Sequence, residues 1–206
     1  DEEFYHQDLS KRLRNKGIEH LSKPRRDLIY LDQVADTFEP DLVVAGKLIV
    51  ELKALRKGFA PEHLAQALGY LKFWRLRTGL LLDFGKASLV QKRLAYDSKA
   101  GKFATQPLPE FVKDTELVER IVSSLDQCLA RIGLGYRENT WTGLVRAALL
   151  ADGLRLTIDP SSAVGHGTAD FRCLVVEDTC APQITALGDD MAATDRARVQ
   201  TCLRWL

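Results

Sequence analysis

The sequence predicts an α/β fold in which a mixed sheet is flanked by helices. Three features of the sequence predict it. Two apolar runs, 42–44 and 48–50, surround a short turn that contains glycine, which is the pattern of a β-hairpin. An apolar stripe of helical spacing runs through 60–77, with Pro61 at the first helical position. A third apolar run, 79–85, follows this helix and ends at a glycine, so that a further buried strand is expected.

Helix and strand patterns also lie on both sides of these elements. Residues 4–16 place apolar side chains on one side of a helix that Gly17 ends. Residues 27–33 and 88–96 are each expected to form one strand. The expected order is helix, strand, strand, strand, helix, strand, strand.

The charged residues that border the hairpin are the first candidates for a site. If the turn is centred on Gly46, Asp41 and Glu51 face each other, with Cβ atoms about 4.5–5.5 Å apart. Two such carboxylates can share a hard divalent cation. Lys53 projects from the same face of its strand as Glu51. The alternative is a surface hairpin with a cross-strand ion pair, but strands that are apolar on both faces favour a buried position and hence a site.

The predicted helix over 60–77 carries polar residues that point to two different roles. Gln66 and Tyr70 are four residues apart and share one face of the helix. Tyr70 is expected to pack in the core. His63 is expected to be a satisfied polar residue, one turn before Gln66.

Taken together, residues 1–96 resemble the PD-(D/E)XK nuclease superfamily, specifically its GxxExxY subgroup. Gln66-x-x-x-Tyr70 is also similar to the QxxxY motif of RecB-like nucleases. The chain begins at Asp1, after the position of the signature glycine, and the missing glycine suggests a fragment. The matching pieces are Glu2-Glu3-Phe4-Tyr5, Pro40-Asp41, Glu51-Leu52-Lys53, Gln66 to Tyr70 and Gly79 to Gly85.

The resemblance implies a restriction-endonuclease-like fold and a nuclease that depends on Mg²⁺ or Mn²⁺. Its substrate would be nucleic acid, with DNA expected. Lys53 would support the attacking water or the charged phosphate, and Gln66 would orient the substrate. The catalytic residues it implies are Asp41, Glu51, Lys53 and Gln66, and the metal ligands are Asp41, Glu51, the carbonyl of Leu52, and Glu2. For Glu2 the alternative, a favourable charge at the positive end of the helix dipole, stays open.

The second half of the sequence is similar to a degenerate, truncated copy of the first. A helical stripe over 114–132 leads into Gly135 to Trp141, which is GxxExxY with Trp in place of Tyr. Asp170 then corresponds to Asp41. Gln183 and Thr185 stand where the chemistry needs Glu and Lys, so this copy is expected to be catalytically dead. The alternative is that the two halves are unrelated in sequence.

We therefore expect two domains, a nuclease-like domain at 1–105 and a degenerate repeat at 106–206. Residues 1–105 carry 19 Lys+Arg against 14 Asp+Glu, a net charge of +5, whereas residues 106–206 carry 10 against 14, a net charge of −4. Basic side chains of the first half could face phosphates, although several fit a solvated helix face equally well.

The remaining composition indicates a cytoplasmic protein with no membrane partner. The four cysteines show neither zinc-ligand nor disulfide spacing, so reduced thiols are expected. Neither a signal peptide nor an apolar run of membrane length is apparent.

Two further functions remain open from the sequence. One is a non-catalytic nucleic-acid-binding or structural module built on the nuclease fold, which the dead second copy would suit. The other is a protein-interaction scaffold in which the acidic half masks the basic one. A homodimer that completes the truncated copy is a further expectation.

Overall fold

The computed structural model describes residues 2–97, 115–159 and 173–178. A five-stranded mixed sheet forms its centre. The described helices and strands are, in chain order, α1 Glu2–Asn15, β1 His20–Ser22, β2 Arg26–Tyr30, β3 Gln33–Phe38, β4 Leu42–Val44, β5 Leu48–Lys53, α2 Pro61–Trp74, β6 Thr78–Asp83, β7 Val90–Ala95, α3 Thr115–Ile132, α4 Glu138–Ala151, β8 Leu156–Asp159 and β9 Cys173–Val176. None of the described helices is long and apolar enough to cross a membrane.

The central sheet has the strand order β1-β4-β5-β6-β7. Strands β4 and β5 form the antiparallel hairpin, β5 and β6 run parallel, and β7 returns antiparallel to β6. The parallel pair is joined through α2, as a parallel connection requires. The predicted α/β fold with a mixed sheet flanked by helices is thus confirmed.

The two helices of the first half cover opposite faces of this sheet, because alternate residues of a strand point to opposite sides. Tyr70 and Leu71 of α2 belong to the same buried cluster as Ile49 of β5. Leu9 of α1 packs against the cluster that contains Val50. Asp41, Glu51 and Lys53 therefore lie on the α2 face, by strand alternation.

The predicted single strand over 27–33 is wrong at its carboxyl end. Strand β2 stops at Tyr30, and Leu31 and Asp32 turn the chain with φ of 47° and 63°. Strand β3 then pairs back onto β2 as a separate two-stranded sheet. The turn has no glycine or proline to mark it in the sequence, and β3 was missed for the same reason.

Two other boundaries differ from the expectation. The first strand of the central sheet, β1, was missed because it has only three residues, is mostly exposed and is not apolar throughout. Helix α2 ends at Trp74 rather than at residue 77, because Arg75 adopts a left-handed conformation with φ of 56°. The N–H of Leu76 then donates to the carbonyl of Leu71 at 2.9 Å, which completes the cap.

Helix α4 packs directly onto strand β3. The two backbones approach so closely at Gly143 that a Cβ there would overlap the carbonyl oxygen of Ala35. Beside this crossing, the Thr140 hydroxyl donates to the Asp36 carboxylate. Tyr136, Leu144 and other residues of this segment share one buried cluster with the first-half sheet.

Lys72 of α2 fixes the end of α3. Its Nζ donates to the carbonyl oxygens of Gly133 at 2.5 Å and Leu134 at 2.6 Å, and lies 4.0 Å from the centre of the Tyr136 ring. The expected domain boundary at residue 105 lies outside the described residues, as do Asp170, Gln183 and Thr185 of the expected second copy.

Candidate active site

The hairpin brings two carboxylates face to face. Its register pairs Leu42 with Val50, so Asp41 stands opposite Glu51, as predicted from a turn at Gly46. The turn is sharp because consecutive residues, Ala45 and Gly46, both have positive φ. The backbone N–H of Asp41 donates to Oε2 of Glu51 at 3.3 Å.

Short hydrogen bonds orient these two acids and the lysine beside them. Oδ2 of Asp41 accepts from the backbone N–H of Leu52 at 2.8 Å. Nζ of Lys53 donates to Oε1 of Glu51 at 2.9 Å. The Glu51 side chain is only 4% exposed and that of Lys53 is 14% exposed, so the ion pair is largely shielded from water.

The charges of this cluster shift two pKa values. Burial and the neighbouring charge of Asp41 raise the pKa of Glu51 to about 7, although Lys53 partly opposes the shift. Burial acts to lower the pKa of Lys53, but the surrounding carboxylates, Glu51 foremost, outweigh it and the pKa of Lys53 is raised. At neutral pH, Lys53 is therefore protonated and Glu51 titrates.

Helix α1 contributes two further residues to this edge of the sheet. Oε1 of Glu2 accepts from the backbone N–H of Ala54 at 2.8 Å, directly after β5. His6 is buried, and its Nε2 lies 3.1 Å from the carbonyl oxygen of Asp41. Because a carbonyl only accepts, Nε2 carries the hydrogen in this contact. The backbone N–H of Lys23 donates to the same oxygen at 2.9 Å, so the carbonyl of Asp41 accepts two hydrogen bonds.

Helix α2 places Gln66 and Tyr70 on the Glu51 side of the sheet. Nε2 of Gln66 donates to the hydroxyl of Tyr70 at 2.9 Å. Burial and the charge of Glu51 raise the pKa of Tyr70 to about 12, so its hydroxyl stays protonated. Tyr70 is buried in the core and His63 accepts the N–H of Ala60 at 3.0 Å, and both expectations are confirmed.

Asp83 is a structural acid that the sequence did not single out. It is fully buried, and its Oδ1 accepts from the backbone N–H groups of Leu55 and Gly85, each at 2.9 Å. Burial acts to raise the pKa of Asp83, but these two donors lower it overall. The carboxylate thus ties together the loops that follow β5 and β6, and a buried acid at the end of an apolar strand is the signal that could have indicated it.

The donor set at Asp41 and Glu51 fits a hard cation. Both ligand groups are carboxylates, the oxygen ligands that hard divalent cations take, and the register of the hairpin places them opposite each other. The carbonyl of Leu52 lies on the same side of β5 as its N–H, which already contacts Asp41. Within the described part of the chain, groups of three or more His, Cys, Asp or Glu that could hold a metal are absent.

One comparison with known proteins, a match to a family model, agrees with this architecture. A mixed five-stranded sheet with flanking helices is consistent with the PD-(D/E)XK nuclease fold. A family model described as the PD-(D/E)XK nuclease superfamily matches residues 1–94, which include Glu2, Asp41, Glu51, Lys53 and Gln66. That match supports a nuclease domain in the first half of the chain.

Among solved structures, the chain is similar to one titled "Crystal structure of SSO0001". The identity is 16% and the TM-score is 0.38, over 45% of this chain and 49% of that one. The chain thus covers about half the length of the structure it matches. The search of curated proteins returned no match.

Proposed function

We propose that the first half of the chain is a metal-dependent nuclease that hydrolyses phosphodiester bonds of DNA. The observation that carries the proposal is the pair Asp41 and Glu51, which face each other, with the buried Glu51 bonded to Lys53. The match of the superfamily model to residues 1–94 supports it. The finer assignment to the GxxExxY subgroup, the dead second copy and the division at residue 105 are kept as parts of this proposal.

Asp41, Glu51 and the carbonyl of Leu52 would hold Mg²⁺ or Mn²⁺, with Glu2 at the margin of the site. A bound cation of this kind polarises a phosphoryl oxygen and makes hydroxide available from water near neutral pH. Because Glu51 is buried and lies opposite the negative charge of Asp41, the cation would also remove the electrostatic cost of ionising Glu51.

Lys53 acts in this mechanism as a fixed positive charge. Its raised pKa keeps it protonated, so it donates hydrogen bonds rather than accepting a proton from water. A phosphate oxygen whose charge increases in the transition state is stabilised by such a donor. Gln66 acts through its contact with the Tyr70 hydroxyl, and its amide oxygen can accept from a water or from the substrate.

The test is cleavage of circular and linear, single- and double-stranded DNA in the presence of Mg²⁺, Mn²⁺ or EDTA. Lys53→Ala should abolish metal-dependent cleavage, whereas Lys47→Ala, at an exposed lysine in the hairpin turn, should leave it unchanged. Magnesium affinity, measured by calorimetry, should be lost in Glu51→Gln. Unchanged magnesium affinity in Glu51→Gln would contradict the proposed metal site.

A second candidate is a non-catalytic nucleic-acid-binding module. It is favoured by one observation, that the carboxylates already have partners without a cation: Leu52 N–H for Asp41 and Lys53 for Glu51. This candidate predicts DNA binding without cleavage on every substrate and no change in stability on addition of magnesium.

A further inference from the structure

Three aromatic rings form a connected group at the amino end of α1. The rings of Tyr5 and Phe84 stack, with centroids 4.3 Å apart and planes 13° apart. The ring of Phe4 meets Tyr5 edge-on, at 5.7 Å and 78°. Phe4 is 68% exposed, whereas Tyr5 and Phe84 are partly buried. The inner pair thus fixes α1 to the sheet, and the outer ring has a large free surface.

This group of rings lies at the same end of the sheet as the candidate site. The backbone N–H of Phe84 donates to the carbonyl of Lys53 at 2.8 Å, so the two residues are neighbours across β5 and β6. Glu2, two residues before Phe4, contacts Ala54 directly after β5. By strand alternation, Phe84 is on the α1 face and Glu51 is on the α2 face. A strand cleaved at Glu51 would meet the rings where it passes over the ends of β5 and β6, from one face of the sheet to the other.

Basic side chains lie in the loops that follow β5 and β6, next to Phe84. Arg56 and Lys57 follow β5 and are exposed, and Lys86, after β6, joins the two loops by donating to the carbonyl of Arg56. Besides Glu2, helix α1 carries the acids Glu3, paired with Lys23 at 2.5 Å, and Asp8, paired with Arg12 at 2.7 Å. Exposed aromatic rings among basic side chains are typical of surfaces that bind single-stranded nucleic acid, because bases stack on the rings while the cations follow the backbone.

We propose that Phe4 is a stacking platform for an unpaired base of the DNA strand that is cleaved at Asp41, Glu51 and Lys53. The inference rests on the proposed nuclease function and names its substrate, a single strand or an unpaired end. Fixing α1 to the sheet accounts for the Tyr5–Phe84 stack. The attachment of α1 to the sheet does not require an aromatic ring at Phe4, whose side chain is mostly in solvent.

The experiment measures binding of a short fluorescent single-stranded DNA by anisotropy, in EDTA so that no cleavage occurs. In a set of otherwise identical strands, each base in turn is replaced by an abasic site, which removes the stacking ring and keeps every phosphate. For the wild-type protein, we expect the abasic site at one position to weaken binding about tenfold, the effect of losing one stacked base. Phe4→Leu should bind the intact strand as weakly as the wild type binds that abasic strand.

Two further variants make the result specific. Phe4→Leu should bind the intact and the abasic strand with equal affinity, because the ring on which the base stacks is already gone. Phe4→Trp should restore the preference for the intact strand. Ile29→Ala is the matched control, since Ile29 is 62% exposed and lies on the β2–β3 hairpin. Its affinities should equal those of the wild type.

The proposal that Phe4 is a stacking platform would be overturned if the wild type bound intact and abasic strands equally well. It would also be overturned if the abasic site weakened binding by Phe4→Leu as much as it weakens binding by the wild type. Cleavage with magnesium separates this failure from that of the proposed function. Metal-dependent cleavage without any abasic effect would leave the nuclease standing and remove the platform. An abasic effect that depends on Phe4, without cleavage on any substrate, would support the platform and overturn the nuclease.

Discussion

The buried acid Glu51 makes the stability of the metal-free protein depend on pH. Burial and the charge of Asp41 raise its pKa from the ordinary 4.5 to about 7 in the folded state. Between these two values the folded protein binds more protons than the unfolded chain, so the free energy of unfolding falls as the pH rises. Above about pH 7 the loss is complete and the curve flattens. A difference of about 2.5 pKa units corresponds to a loss of about 3 kcal/mol.

Urea unfolding in EDTA, from about pH 5 to about pH 8, measures this loss directly. In Glu51→Gln the free energy of unfolding should no longer fall across this pH range, because the glutamine amide does not titrate. Glu62→Gln is the matched control on the exposed surface of α2 and should keep the wild-type curve. All other ionisable groups except the substituted one are the same in the three proteins, so their contributions cancel in the comparison.

Saturating magnesium completes the test. A cation that binds only the native, ionised site adds stability by mass action, so it should offset the loss near pH 8 and have little effect near pH 5. The reasoning would be refuted if Glu51→Gln kept the full pH dependence of the wild type. Magnesium that added no stability near pH 8 would argue against the cation site itself.

Three other substitutions test contacts described above. Gly143→Ala should lower the free energy of unfolding by about 3 kcal/mol in urea, because its Cβ would overlap Ala35. His6→Ala should weaken magnesium binding about tenfold by calorimetry, because the carbonyl of Asp41 loses a donor, and His6→Gln should recover part of it. Ala45→Gly should raise the free energy of unfolding by about 1 kcal/mol in urea, because Ala45 has φ of 51°.

Each of these has an outcome that would contradict it. Arg146→Ala, at an exposed position of α4, controls for the effect of an added alanine on the helix itself. If Gly143→Ala were as stable as Arg146→Ala, the backbones of α4 and β3 could move apart without cost. Ala95→Gly is the control in strand β7, where replacing alanine by glycine should lower the free energy of unfolding. A similar loss in Ala45→Gly would mean that the positive φ of Ala45 does not strain the backbone. A His6→Ala variant with wild-type magnesium affinity would show that the contact only supports the fold.

The hairpin and its acids could be predicted because the relevant information is local. A glycine turn between two apolar runs sets the register, and the register alone places Asp41 opposite Glu51. The amphipathic helix that carries Gln66 and Tyr70 is set by spacing in the same way. These parts of the site need no knowledge of tertiary contacts.

The rest depends on partners that are distant in sequence. His6 contacts a carbonyl 35 residues away, and a backbone oxygen leaves no mark in the sequence pattern. The close approach of Gly143 to Ala35 joins α4 to a strand that was itself not predicted. Strand β1 escaped detection because three largely exposed residues, His20 to Ser22, carry too short a pattern.

We expect the ion pair of Lys53 with Glu51 to give the proposed metal site two states. Without a cation, Lys53 supplies positive charge to the buried carboxylate of Glu51, at 2.9 Å from its Oε1. A divalent cation held by Asp41 and Glu51 would supply that charge more strongly and would repel the ammonium group. Lys53 would then be free to bind the phosphate of the proposed substrate. This exchange is the physical reason to expect Lys53→Ala to lose cleavage while the metal ligands remain in place.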